Sequence, residues 1–525
     1  MFTPLPIELS ERFNLCEYFL DHNLTAGRGD KTAVIDGRGR YTYAQVSDMA
    51  RRVAAFLRAR GVRAEERVLI ILPDAVEFAA AFFGVLRAGA VFAMVNPLLK
   101  AKDYEDYLDY TKARVVLTHS SVLPELQAAA EASPWCEALL AVDAPSGGMV
   151  FSWHDSLAQV DAHGPLAEMA ATGPDDLAGW LFTSGSTGRP KGCVHVHRDF
   201  AYSTETYALQ VAGYRESDVC VSVPKLFFGY ATGTNLMFPF RVGATVVLFE
   251  GRSTAEELLA QIEAHKPTFM TGVPTLLNNM LALPGIDAAD LSSLRLCLSA
   301  GEALPREVYE AWKARTGVEV LDGIGSAEMF HIYISNYPGD VRPSSLGKLV
   351  PGYAAEILDP EDRPLPVGES GRLRIHGGST ALCYWANKAS SNATFQGTAC
   401  TTADIFRQDE NGYFFYEGRS DDLLKVSGIW VSPLEIENCL LAHAAVAEVC
   451  IVGKEDEAGM IKPLAFVVPA AGCCGDAALA ETLKAHVKQH LAPYKYPRWF
   501  EWRLELPKND RGKVARALLR SEVGA

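Results

Sequence analysis

Short apolar runs alternate with amphipathic stretches over the first four-fifths of this chain, and that alternation restricts the fold to α/β: parallel sheets covered by helices. Val68-Leu69-Ile70-Ile71-Leu72 reads as a buried strand, followed after Pro73-Asp74 by a helix from Ala75 to Leu86. A second unit is more explicit. Thr254 and Glu257 predict a capping box, Leu258, Leu259 and Ile262 a buried stripe, and Pro267 a stop. The flanking runs Ala244 to Phe249 and Thr268 to Met270 complete a predicted βαβ unit. The most apolar stretch, Phe78 to Val95, is interrupted by Gly84, Arg87 and Gly89, which predicts a packed helix-turn-strand rather than a membrane span.

The pattern changes at Gln408 to Arg419, a polar, turn-rich segment. Beyond it Val446 to Val452 and Leu464 to Val468 read as strands, and Leu479, Leu483, Val487 and Leu491 repeat as a helix stripe. About a hundred residues suffice for an independent small domain. The expected organisation is a large domain over 1–419 and a small α+β domain over 422–525, joined by a hinge.

At 525 residues the chain is too long for one ordinary core. Its net charge of −15 argues against nucleic acid or an anionic membrane as partner, while leaving room for a local basic site. The first residues lack the basic region of a signal peptide, so a cytoplasmic protein is expected. Its 11 cysteines show no metal-ligand spacing, and most read as small buried hydrophobes in a reducing compartment.

Chemistry first shows itself at Thr183-Ser184-Gly185-Ser186-Thr187-Gly188-Arg189-Pro190-Lys191-Gly192. The strand-like Gly179 to Phe182 delivers this loop to a sheet edge. Glycines let the backbone approach an anion, N–H groups and hydroxyls face its oxygens, and Lys191 adds a mobile charge, so polyphosphate is the expected guest. It is not a Walker A loop, because no Gly-Lys-Ser/Thr ends it. Downstream come Asp322-Gly323-Ile324-Gly325-Ser326-Ala327-Glu328 after an apolar run, then Thr402-Ala403-Asp404, then Gly418 to Gly428, and finally Pro507 to Lys513. A carboxylate on a turn beyond a strand end suits Mg2+ held against phosphate.

In this order these segments resemble the adenylate-forming superfamily of acyl-CoA synthetases, peptide-synthetase adenylation domains and firefly-type luciferases. Lys225 to Tyr230, Ser299 to Leu304, His331-Ile332 and Ala492 to Pro497 are similar to the benzoate-CoA ligase branch, which includes aminobenzoate and hydroxybenzoate ligases. The resemblance implies ATP, CoA and Mg2+ as cofactors and substrates. Residues Thr183 to Lys191, including Ser184, Gly185, Ser186, Thr187 and Gly188, would hold the β- and γ-phosphates, and Glu328 the magnesium. Gly301, Glu302 and Ala303 would line adenine with Asp322 at its amino edge, and Asp404 and Arg419 would hold the ribose. Lys513 would reach the reacting carboxylate and α-phosphate. The small domain would turn about Asp421 to bring the segment around Lys425 and Gly428 to the pantetheine tunnel.

For a flat aromatic acid, Phe228, Gly229, Tyr230, Ile324, Gly325, His331 and Ile332 form the expected pocket. His331 reads equally as a contact to a ring substituent or as a satisfied structural histidine. His195 and His197 would face the same way on a strand, but with no third ligand nearby no metal site is expected there. Two departures stand out. Ala327 replaces a family threonine whose hydroxyl would bond phosphate, and Ala403 replaces a glycine. The implied activity is an ATP-dependent aryl-CoA ligase acting on benzoate or 2-aminobenzoate through an aryl-adenylate, as a monomer or homodimer. Loading of a carrier protein and a nucleotide sensor without catalysis are the competing readings.

Overall fold

The structure, a computed structural model, describes residues 7–184, 190–302, 304–419, 422, 424–426, 429–456, 460–470, 472–508 and 514–523. The chain divides into two compact units: Met1–Ala355 with Ile375–Thr401, and Glu356–Arg374 with Thr402–Ala525.

Two sheets build the first unit. One runs Cys383–Tyr384, Pro190–Val196, Leu177–Ser184, Val91–Met94, Arg67–Ile71, Val115–His119, Ala138–Val142, Val150–Ser152. It is parallel from Leu177–Ser184 onward and antiparallel at the other edge. The other runs Lys348–Leu349, Ile332–Ser335, Val320–Gly325, Leu296–Ala300, Phe269–Gly272, Val219–Ser222, Thr245–Val247, Thr32–Asp36, Gly39–Thr42. Its interior strands are parallel and its edges antiparallel. The predicted helix-turn-strand is the helix Val76–Ala88, a left-handed Gly89 and the strand Val91–Met94. Every residue of that helix except Glu77 is buried, which is why it reads as apolar all round. Among the described residues no helix is long and apolar enough to cross a membrane.

The predicted βαβ unit forms, with Thr245–Val247 and Phe269–Gly272 in one sheet and Val219–Ser222 between them, parallel to both. Two expectations change. Before the helix Ala255–His265, the Thr254 hydroxyl accepts from Glu257 N at 3.2 Å, but the Glu257 carboxylate bonds Gln261 at 2.8 Å. Half of the capping box is therefore traded for an i,i+4 pair. The turn-rich Gln408 to Arg419 is a β-hairpin: Ala399–Gln408 pairs antiparallel with Phe414–Arg419, and Asp409 to Gly412 make the turn.

In the second unit Val446–Glu455 and Ile461–Pro469 are antiparallel and Trp499–Trp502 joins in parallel. The helices Pro433–Leu441 and Ala477–His490 cover this sheet. The predicted stripe holds: Leu483 and Val487 are buried, with Leu479 and Leu491 partly buried against the same core.

Candidate active site

In the antiparallel pair of Leu177–Ser184 and Pro190–Val196, Thr183 stands opposite Lys191 and Ser184 opposite Pro190. Gly185, Ser186, Thr187, Gly188 and Arg189 lie outside the described residues. Lys191 Nζ sits 5.2 Å from the ring centroid of Tyr384, a cation–π contact. The Tyr384 hydroxyl donates to Glu328 Oε1 at 2.6 Å, the length of a hydrogen bond to a charged acceptor. Burial, then the Glu328 charge, hold this phenol well above its ordinary range, so it stays a donor. Lys191 and Glu328, read from separate sequence segments, thus meet on opposite parts of one tyrosine.

The turn carrying Glu328, Ala327–Met329, is fixed from three sides. His195 Nε2 bonds Ala327 O at 2.7 Å, Ala381 N donates to Glu328 O at 2.8 Å, and Ser379 Oγ donates to Met329 O at 2.9 Å. His195 Nδ1 in turn meets Asp199 Oδ2 at 2.9 Å, with both residues buried. Since a carbonyl only accepts, Nε2 carries a hydrogen, and the imidazole is a strut rather than a ligand. His197 opens a helix and accepts from Leu15 N at 3.3 Å, so the two histidines have separate partners. The Ala327 methyl packs against Cys193, Ala381 and Tyr384.

Asp322 lies on the strand Val320–Gly325, directly opposite Ser299 on Leu296–Ala300. It is only 5% exposed, and burial pushes its carboxyl up to about 8. Its Oδ1 is a buried oxygen that no described donor reaches with hydrogen-bond geometry, although Ser299 and the backbone of Leu304 and Gly323 stand near enough to favour the charged form. An acceptor held this way fits an exocyclic amino group. Gly301 follows the neighbouring strand at φ +91°, and Glu302 Oε2 accepts from the Thr275 hydroxyl at 2.7 Å. Ala303 lies outside the described residues.

The pocket residues come together where two strands turn. Gly325 pairs with Ile332, Ile324 with Ile334, and His331 precedes the returning strand. A Cβ on Gly325 would fall 2.5 Å from His331 O, so only glycine permits this approach. His331 Nε2 bonds Tyr230 O at 3.1 Å, which ties the pair to the segment Phe228, Gly229, Tyr230. Rings of Phe238 at 4.6 Å and of Tyr207, Tyr230 and Phe330 at 5.4 Å surround the imidazole. Burial lowers its pKa to about 3, so it is neutral. Nε2–H is spent on the carbonyl, and Nδ1 remains a buried acceptor with no described partner. The bond from Nε2 is the structural one of the two readings of His331. At the head of the segment, Asp74 is buried and accepts from Leu226 N at 3.0 and 3.2 Å.

In the second unit, Asp404 and Arg419 are direct cross-strand partners. The Tyr416 hydroxyl lies 3.5 Å from Asp404 Oδ1. Lys425 belongs to the short strand Leu424–Val426, while Asp421, Gly428 and Lys513 lie outside the described residues. Sequence reasoning missed Tyr384, Asp199 and Asp74 and gave His195 no role. Tyr384 sits in Leu382-Cys383-Tyr384-Trp385, which carries no motif, and only its pairing opposite Cys193 brings it to Lys191.

Oxygen donors at Glu328 suit a hard cation, the hairpin at Thr183 and Lys191 suits phosphate, and the acceptor at Asp322 suits adenine. Residues 21–385 match the family of AMP-binding enzymes and residues 435–513 the AMP-binding enzyme C-terminal domain. A benzoate–CoA ligase of Thauera aromatica is 44% identical over 522 residues, 99% of this chain and 98% of that one. The crystal structure of an anthranilate CoA ligase with anthranoyl-AMP superposes with a TM-score of 0.93 at 40% identity, covering 98% of each chain. A benzoate CoA ligase from Burkholderia xenovorans LB400 gives a TM-score of 0.89 at 41% identity, covering 97% of this chain and 100% of that one. By sequence along its length and by fold, the chain is a member of the AMP-binding enzyme family, in its benzoate–CoA ligase branch.

Proposed function

We propose that this protein is an ATP-dependent aryl-CoA ligase that takes benzoate or 2-aminobenzoate to the thioester through an aryl-adenylate. The observation that carries the reading is that a chain 44% identical, end to end, to a benzoate–CoA ligase also brings Lys191 and Glu328 onto one tyrosine. The acid's carboxylate oxygen attacks the α-phosphorus, the bond to the β-phosphate oxygen breaks, and diphosphate leaves. The CoA sulfur then attacks the acyl carbon, its proton passes to solvent, and AMP leaves with the electrons of the C–O bond.

In this reading Lys191, with the loop Thr183 to Gly188, neutralises the leaving phosphates, and Glu328 holds Mg2+, which shields phosphate charge. Tyr384 fixes the Glu328 rotamer. Asp322 accepts from adenine beside Gly301, Glu302 and Ala303, and Asp404 and Arg419 take the ribose. Lys513 lies between the two anions and lowers their repulsion. The working boundary falls between 419 and 422, with 422–525 turning about Asp421 so that Lys425 and Gly428 serve the second step. Free cysteines, seven of them buried, suit a reducing cytoplasm.

His331 Nδ1 is the feature that selects the acid. A neutral acceptor in an aromatic wall receives a hydrogen from a ring amino or hydroxyl group and gains nothing from unsubstituted benzoate. AMP release over benzoate, 2-aminobenzoate and 2-hydroxybenzoate, with and without CoA, tests the whole reading. CoA-dependent turnover of at least one is expected, and AMP release unaffected by CoA across the panel would overturn it.

A further inference from the structure

On the helices that cover the small sheet of the second unit, four side chains of ligating type converge. Cys439 lies on Pro433–Leu441, His486 and His490 lie one turn apart on Ala477–His490, and His443 follows the first helix. One ligand atom from each of Cys439, His486 and His490 lies within 4.8 Å of the other two. The rings of His486 and His490 are 4.3 Å apart, and His443 meets His486 edge-on at 5.2 Å. Spacing of i,i+4 puts both helix histidines on one face. Nothing in the linear sequence links them to Cys439.

Hydrogen bonding prepares the set further. His486 Nε2 bonds Cys439 O at 3.0 Å and His490 Nδ1 bonds His486 O at 2.8 Å. Both acceptors are carbonyls, so each bonded nitrogen carries the hydrogen and each imidazole keeps its lone pair on the other nitrogen. This is the outer-shell arrangement that fixes tautomer and ring orientation in metal-bound histidines. We propose that Cys439, His486 and His490 form a site for a thiophilic divalent transition ion, with Zn2+ as the expected occupant and solvent completing the coordination.

The donor set decides the metal class. One thiolate with two imidazoles favours zinc over magnesium or calcium, which want oxygen. Zinc bonds of about 2.3 Å to sulfur and 2.0–2.1 Å to nitrogen place tetrahedral donors roughly 3.4–3.6 Å apart. From within 4.8 Å of one another the donors must close by about an ångström on binding. Burial, then Glu435, raise the Cys439 thiol. Glu435 is itself paired with Lys495 at 2.6 Å. The site would cross-link the helices Pro433–Leu441 and Ala477–His490.

The test uses tag-free, full-length protein stripped with chelator and kept reduced, titrated with Co2+ and then with Zn2+. One equivalent of Co2+ should give a thiolate-to-cobalt charge-transfer band that Zn2+ abolishes. Cys439→Ser should lose the band, and His490→Gln, at an exposed position that leaves the fold intact, should weaken Zn2+ affinity by more than about tenfold. The double substitution Cys473→Ser, Cys474→Ser removes the exposed thiols and should change neither result. No band in the parent, a band surviving in Cys439→Ser, or loss of the band only in the Cys473/Cys474 double variant would overturn the proposal.

Discussion

The Tyr384 hydroxyl donates to Glu328 at 2.6 Å while the face of the same ring lies 5.2 Å from the Lys191 ammonium. One side chain therefore sets the separation between the acid and the base that flank the expected polyphosphate. A tyrosine is suited to this, since its edge presents a donor and its face a partial negative charge.

Tyr384→Phe keeps the ring under Lys191 and removes only the bond to Glu328. Losing a hydrogen bond to a charged group costs about 1.5–3 kcal/mol, roughly 10- to 100-fold in rate. Acid-dependent pyrophosphate exchange should fall by that amount and recover partly at high Mg2+. An unchanged rate would show that Glu328 is positioned by its backbone contacts alone.

Lys513→Ala should lose at least about a hundredfold in pyrophosphate exchange, the scale of one preorganised electrostatic contact. Synthetic benzoyl-AMP plus CoA should still give the thioester. Equal loss in both half-reactions would remove Lys513 from the adenylation step.

His331→Gln retains a donor for the Tyr230 carbonyl and deletes the Nδ1 acceptor. Relative kcat/KM for 2-aminobenzoate or 2-hydroxybenzoate against benzoate should shift by about 1–3 kcal/mol, with benzoate itself little affected. A uniform change over the three acids would leave His331 with its structural bond only.

Asp421→Pro fixes φ near about −65° and removes an N–H. If the small domain turns there, adenylation should persist within about tenfold while thioester formation from aryl-AMP slows far more. Circular dichroism and a melting curve must first show a folded variant. Thioester formation at the parent rate would exclude Asp421 as the pivot.

Stability should respond to pH through Asp322. Burial raises its folded pKa from 3.8 to about 8, so across that window the folded state holds a proton that the unfolded chain has lost. Stability therefore falls as pH rises through the window, and Asp322→Asn removes this contribution. The drop in melting temperature between about pH 6 and pH 8 should be smaller in the variant than in the parent. His331, with its pKa lowered to about 3, acts oppositely and costs stability as pH falls below 6.5. An equal slope in parent and Asp322→Asn would show that the carboxyl is solvated in solution.

What the sequence determined by itself is local. Apolar runs of strand length and the stripe Leu479, Leu483, Val487 and Leu491 specify elements through periodicity, and the glycine-rich segment Thr183 to Lys191 and the segment Asp322 to Glu328 raise the expectation of anion and cation chemistry. Asp404 and Arg419 were legible as separate motifs, though their pairing on adjacent strands was not. Tertiary structure decided everything that depends on contact between distant segments. It placed Val219–Ser222 between the two strands of the predicted βαβ unit, because a parallel crossover fixes handedness but not adjacency. It brought Tyr384 to Glu328, His195 to the Ala327 carbonyl, and Cys439 to His486 and His490. Such groups carry no periodic signal, since a single tyrosine, histidine or cysteine acquires its role only when packing places a partner within reach.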